Sequence, residues 1–173
     1  MNVLGPDHRR DLGIRRYPLL VYTLAPLVAL VMQALLPRVL RGYAWFDLPL
    51  VVTVYFALVR RDPIQGTLMG GSLGIFEDAL THHAIGVNGI AKTVAGFLAG
   101  SVGVRIDVEN HTIRLILTFL LSLLCSVIYV VIYRVLLGLD LEWSWLAEAM
   151  KAVGSSLIAA ALFPLLDRTQ IKD

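Results

Sequence analysis

Apolar stretches long enough to cross a bilayer follow one another along almost the whole of this chain, and polar residues are confined to short gaps between them. A hydrocarbon core of about 30 Å needs roughly 20 helical residues, each rising about 1.5 Å. Tyr17–Leu36, Ile113–Leu137 and Ala147–Leu166 meet that length outright; Ala44–Val59, Ile64–Leu80 and Val87–Val104 are shorter but apolar enough to serve. Six such spans in 173 residues leave no length for a water-soluble core. Charged residues are only 16% of the chain, against about 25% in soluble domains. The expected fold is an all-α membrane protein of six transmembrane helices: a cytoplasmic N-terminal segment over 1–16, a membrane domain over 17–166 and a short cytoplasmic tail over 167–173.

Arg9, Arg10, Arg15 and Arg16 precede the first apolar run, as basic residues do in a signal peptide. That run is too long for a signal h-region and ends in Leu35-Leu36-Pro37-Arg38, without a small-x-small cleavage pattern, so it reads as a retained first helix. Cys125 is the single cysteine and lies mid-span, where it reads as a small apolar packing residue.

Lysines and arginines near span ends set orientation. With six spans, Arg9, Arg10, Arg15, Arg16, Arg60, Arg61, Arg105, Arg114, Arg168 and Lys172 fall on one side. Arg38, Arg41, Arg134 and Lys151 fall on the other, and Lys92 lies within a span. Ten against four places both termini in the cytoplasm. Trp45, Trp143 and Trp145 then share the outer face, as an interfacial belt would. The net charge of +2 follows from this bias, so no nucleic-acid partner is expected. Asp62-Pro63 reads as N-cap and first helical residue of the third span, and Asp47 as a cap of the second. Pro26 is expected to bend the first span, and Gly138 to end the fifth.

The third and fourth spans differ from the rest. Gly66, Gly70 and Gly74 recur every four residues, with Gly71 beside them; Gly89, Gly96, Gly100 and Gly103 fall on one face of the next helix. Small residues let helix backbones approach where lipid gives no hydrophobic drive for association. The faces serve either packing within the chain or an interface with another chain, a homodimer included. Asp78 projects from the first stripe and Lys92 from the second, at similar depth on either side of a turn at Thr81–Gly86, so an Asp78–Lys92 ion pair is expected. Glu77, Asp78, Asn88 and Lys92 form a candidate intramembrane polar cluster, read either as structural or as the lining of a cavity or partner site.

Other matches carry no chemistry. Gly70-Gly71-Ser72-Leu73-Gly74 has the form of a nucleophile elbow, which requires a strand-to-helix turn that an apolar helix cannot supply. Asp78 and His82 could share a metal, but two ligands do not make a site, and His82-His83 read as solvated loop residues. No catalytic residue, cofactor or metal is expected.

The link Arg60-Arg61-Asp62-Pro63, the glycine-spaced span ending in Asp78, and the turn Ile85-Gly86-Val87-Asn88-Gly89 resemble those of MreD, the rod shape-determining membrane protein family. The motif covers residues 60–103, and size and span number match along the chain; Glu77 and Lys92 lie outside the family pattern. The resemblance implies a non-enzymatic scaffold in the bacterial inner membrane. Its partners would be the membrane anchor of MreC and, directly or indirectly, MreB filaments and the peptidoglycan synthase pair of the elongation machinery. MreD-like proteins are similar in fold to the S components of energy-coupling-factor vitamin transporters, which supplies an alternative. A capture pocket would then draw on Glu77, Asp78, Asn88, Lys92, Trp143 and Trp145, and Ala25-x-x-x-Ala29 would meet a transmembrane partner. An intramembrane enzyme using Ser72 or the carboxylates lacks a base and a metal set.

The topology has a direct test. An impermeant thiol reagent applied to whole cells is expected to label a cysteine placed at Ser144 and to spare one at Thr169. Labelling at Thr169 would overturn the orientation.

Overall fold

A computed structural model describes residues 18–39, 45–81, 84–106, 110–138 and 144–169. The N-terminal segment 1–16, His82, His83, Trp143 and the end of the tail lie outside them. The described residues form an all-α bundle of six α-helices: α1 Leu19–Val39, α2 Leu48–Arg60, α3 Pro63–Thr81, α4 Val87–Arg105, α5 His111–Val131 and α6 Trp145–Asp167. α5 runs on into a π-helical turn, Ile132–Leu136, before Gly138 takes the left-handed conformation at φ 62°. α1 is helical through Pro26.

α4, α5 with its π turn, and α6 are long and apolar enough to cross a membrane. α1 and α2 carry shorter apolar stretches, Leu20–Leu36 and Leu48–Arg60. α3 has the length but is diluted by glycine, Gln65, Glu77 and Asp78, a composition that suits a face turned to protein rather than to lipid.

α2 decides the architecture. Its sequence is apolar on all sides, the signature of a helix enclosed by others. Every residue from Pro49 to Val59 is buried, and α2 touches all five other helices. Two apolar clusters divide across it. On one side Val52, Tyr55 and Phe56 pack with Ala29 of α1 and Ala159 and Phe163 of α6. On the other Leu50, Val54 and Leu58 pack with Ala91, Ala95 and Ala99 of α4 and Leu121 of α5. Thr53 returns its hydroxyl to the Pro49 carbonyl at 2.8 Å, and Tyr55 sends its own to Asp167 at 2.8 Å, so the buried hydroxyls of α2 are satisfied.

α2 starts later than the expected Ala44. Residues 45–47 are not helical, and Asp47 sits in the extended region at φ −116°, ψ 90°. A carboxylate that accepts from Leu50 N–H at 2.9 Å holds the residue outside the helix it caps. At 13 residues α2 is only about 20 Å long. Its N-cap, Asp47, is buried. Asp62 caps α3 in the same way, accepting from Ile64 and Gln65 N–H at 2.9 and 3.3 Å, with Pro63 as first helical residue.

α3 and α4 form an antiparallel hairpin in backbone contact. A Cβ built at Gly66 would strike the Gly96 carbonyl, one at Gly70 the Lys92 carbonyl, and one at Gly74 the Asn88 carbonyl. Each four-residue step along α3 is answered by a four-residue step back along α4, which is why the glycines recur at that spacing. The register continues to Gly100, whose Cβ would meet Pro63 Cα at 2.7 Å, while Gly103 turns to α2 and the Leu58 carbonyl at 2.7 Å. Gly71 and Gly89 face side chains instead, Thr93 Oγ1 and Ile75 Cγ1, each at 2.8 Å.

This difference predicts unequal outcomes at neighbouring positions. Gly70→Ala drives a methyl into backbone that cannot yield, and should cost at least about 1–3 kcal/mol. Gly71→Ala meets a single side-chain atom, the Thr93 hydroxyl oxygen, and gains up to about 1 kcal/mol of helix propensity against it, so it should cost clearly less than Gly70→Ala. Thermal unfolding of the two variants in detergent measures the contrast; equal midpoints would mean that the helices are not in backbone contact.

Candidate functional site

Lys92 lies on the glycine face of α4 and is 1% exposed, so its ammonium needs partners within the protein. Two carboxylates supply them. Asp47 Oδ2, at the N-terminus of α2, lies 3.0 Å away, and Glu77 of α3 forms a direct ion pair. Both acids are buried. A buried ion pair persists where geometry and extra hydrogen bonds offset desolvation, and here the ammonium is shared between two helices that its own helix packs against.

The expected Asp78–Lys92 pair does not form. Asp78, fully buried, turns toward the hairpin's own turn. Its Oδ2 accepts from Gly86 N–H at 2.8 Å and Asn88 N–H at 3.1 Å, with Gly89 N–H at 3.5 Å. Its Oδ1 accepts from Asn88 Nδ2 at 2.7 Å. The carboxylate thus covers the free N–H groups at the start of α4, where the helix dipole also favours negative charge. Helical phase explains the exchange. Glu77 and Lys92 are equally far in sequence from the Ala84–Ile85 bond, so it is Glu77 that reaches Lys92, while Asp78 is one residue nearer the turn.

Around Asp47 the polar contacts reach further. Its own N–H donates to Ser155 Oγ of α6 at 3.0 Å. The Gln33 amide of α1 bridges the neighbouring backbone, donating from Nε2 to the Phe46 carbonyl and accepting at Oε1 from Leu48 N–H, both at 3.2 Å. Trp45 runs so close to α6 that a Cβ at Gly154 would strike the Trp45 carbonyl. Non-helical backbone at membrane depth is tolerated only where protein satisfies it, and Gln33, Asp47 and Ser155 do so here. Asp47, Glu77, Lys92, Gln33 and Ser155 therefore form one buried network across α1, α2, α3, α4 and α6.

Sequence spacing reached Asp47 only as a cap and missed Gln33 and Ser155. Their signal is weak but present: Gln33 is the one amide in a long apolar run, and Ser155 follows Gly154 in a helix otherwise rich in alanine. Elsewhere, Ser126 donates to Glu148 at 2.6 Å, joining α5 to α6, and the Cys125 thiol faces the Ala91 carbonyl at 3.5 Å. At the other end of the bundle Arg114, 3% exposed, pairs with Asp167 at 2.9 Å, the same carboxylate that holds Tyr55.

Ser72 is exposed and returns its hydroxyl to the Met69 carbonyl one turn back, away from this network. Trp145 is exposed and stands apart from it, at the start of α6. Among the described residues no group of three histidine, cysteine, aspartate or glutamate side chains could hold a metal ion. No protein-family model, curated protein or solved structure matches the chain.

Removing Lys92 strands two buried carboxylates, at about 3–5 kcal/mol each, and removing one acid with it leaves only the other stranded, so the second loss is partly relieved. Double-mutant cycles on thermal stability should therefore show coupling of about 0.5–3 kcal/mol for Lys92→Met with Glu77→Gln, and for Lys92→Met with Asp47→Asn. Lys92→Met with Asp78→Asn should be additive to within about 0.5 kcal/mol. Strong coupling confined to the Asp78 cycle would reverse this assignment.

Proposed function

We propose that this chain is an MreD-like scaffold of the bacterial cell-elongation machinery, set in the inner membrane with both termini in the cytoplasm. The observation that carries the reading is that the residues behind the resemblance act as one physical unit. The Asp62-Pro63 cap starts α3, the four-residue glycine register locks α3 to α4, and Asp78 closes the Gly86–Gly89 turn. Such a hairpin is a rigid surface feature, suited to holding another chain's membrane helix by shape. MreC's anchor is its proposed partner, with MreB and the peptidoglycan synthase pair reached through it or directly.

The polar side chains favour this reading over vitamin capture. Lys92 is taken up by Asp47 and Glu77, and Asp78 by Asn88 and the turn N–H groups. A capture site would hold such groups open toward its ligand. A scaffold role asks only that they fix helix positions, and no covalent chemistry is assigned to them.

Co-purification tests the proposal. Affinity-tagged protein extracted from its own membranes should bring down MreC, and Gly74→Leu, which would break the hairpin face, should reduce that recovery severalfold at equal protein level. Recovery of transporter ATPase subunits in place of MreC would replace the scaffold reading with the capture one.

A further inference from the structure

The ends of α2, α4 and α6 and the starts of α3 and α5 meet at one end of the bundle, as the Arg114–Asp167–Tyr55 contacts and the Gly100–Pro63 approach require. Arg60, Arg61, Arg105, Arg114 and Arg168 gather there. Against these five, the carboxylates at that end among the described residues are Asp62 and Asp167. Neither is free: Asp62 caps α3, and Asp167 is shared by Arg114 and Tyr55. Arg60 and Arg61 form no ion pair among the described residues.

Arg60 is also held in a defined pose. Its guanidinium lies over the Tyr22 ring, 4.8 Å from the centroid. That ring is braced edge-on by the buried Phe56, with centroids 5.1 Å apart. Arg60 Nε is buried and has no acceptor, and the residue as a whole is half-buried. A planar guanidinium is thus fixed in place with its charge answered by no carboxylate among the described residues. The helices at this end also carry exposed apolar side chains, Leu20 and Leu24 of α1 and Ile64 and Leu68 of α3. A phosphate suits the guanidinium, and acyl chains suit the exposed leucines and isoleucine of α1 and α3.

We propose that Arg60, seated on Tyr22 and supported by Arg61, is a binding site for the phosphate of an anionic phospholipid. A headgroup without its own cation leaves its full charge for the two arginines; a choline headgroup does not. Each arginine near the surface contributes about 1 kcal/mol toward an anionic lipid, or about fivefold in affinity.

The experiment uses the full chain, purified and delipidated in detergent, with bound lipid counted by native mass spectrometry. Phosphatidylglycerol should bind at least about fivefold tighter than phosphatidylcholine. Arg60→Gln should lower phosphatidylglycerol affinity about fivefold; Tyr22→Leu should also weaken it, and Tyr22→Phe should retain it. Arg105→Gln, at the same end but away from Tyr22, should change it less than twofold. Equal binding of the two lipids by the unaltered protein overturns the proposal whatever the variants do. So does an Arg105→Gln loss equal to that of Arg60→Gln, which would mark a diffuse charge effect. Inorganic phosphate that competes with phosphatidylglycerol at equal concentration would assign the site to a soluble phosphate instead of a lipid.

Discussion

A helix whose N-cap is buried among other helices must have the polar groups of that cap met by protein, and the rest of this structure depends on how that is done. α2 is short and buried from Pro49 to Val59, and Asp47, which leads into it, is buried too, so its polar groups must be met within the protein. Asp47 answers with three contacts: one oxygen caps α2, the other meets Lys92, and the N–H donates to Ser155. Gln33 completes the set by bridging Phe46 and Leu48. Buried polar groups that are fully satisfied fix relative helix positions more sharply than apolar packing does. The polar network is therefore the place where α1, α3, α4 and α6 take their positions around α2.

Two kinds of contact share the remaining work. Between α3 and α4 the backbones touch through glycine, and van der Waals packing substitutes for the hydrophobic drive that lipid does not provide. Away from that pair, charged and polar groups sit at two levels of the bundle. Lys92 with Asp47 and Glu77 holds one, and Arg114 with Asp167 and Tyr55 holds the other. α2 contributes to both, through its cap at one end and Tyr55 toward the other.

Much of this was legible in the residues. Helix order, the Asp47 and Asp62 caps and the stop at Gly138 follow from local chemistry that acts within a few residues. The glycine spacing pointed to a close helix pair for the same reason, since a four-residue period is a property of one helix. The partner of Lys92 was not legible. Depth along the hairpin narrowed the choice to adjacent acids, and one step of helical phase separates Glu77 from Asp78. Asp47 lay beyond such reasoning, because it reaches Lys92 across a helix pair whose packing no sequence interval encodes. Gln33 and Ser155 are alike: each satisfies backbone contributed by a distant segment.

The enclosure of α2 has a consequence for biogenesis. The chain emerges in order, so Asp47 enters the membrane before Glu77 and Lys92 exist and long before Ser155 does. Until Lys92 follows, its carboxylate has no ammonium to offset the cost of a charge among apolar residues, which is on the order of 3 kcal/mol on insertion scales. α2 has neither the length nor the finished surroundings to settle alone. Its final position belongs to the longer chain, and a ribosome that stalls before α4 leaves this acid without its ammonium.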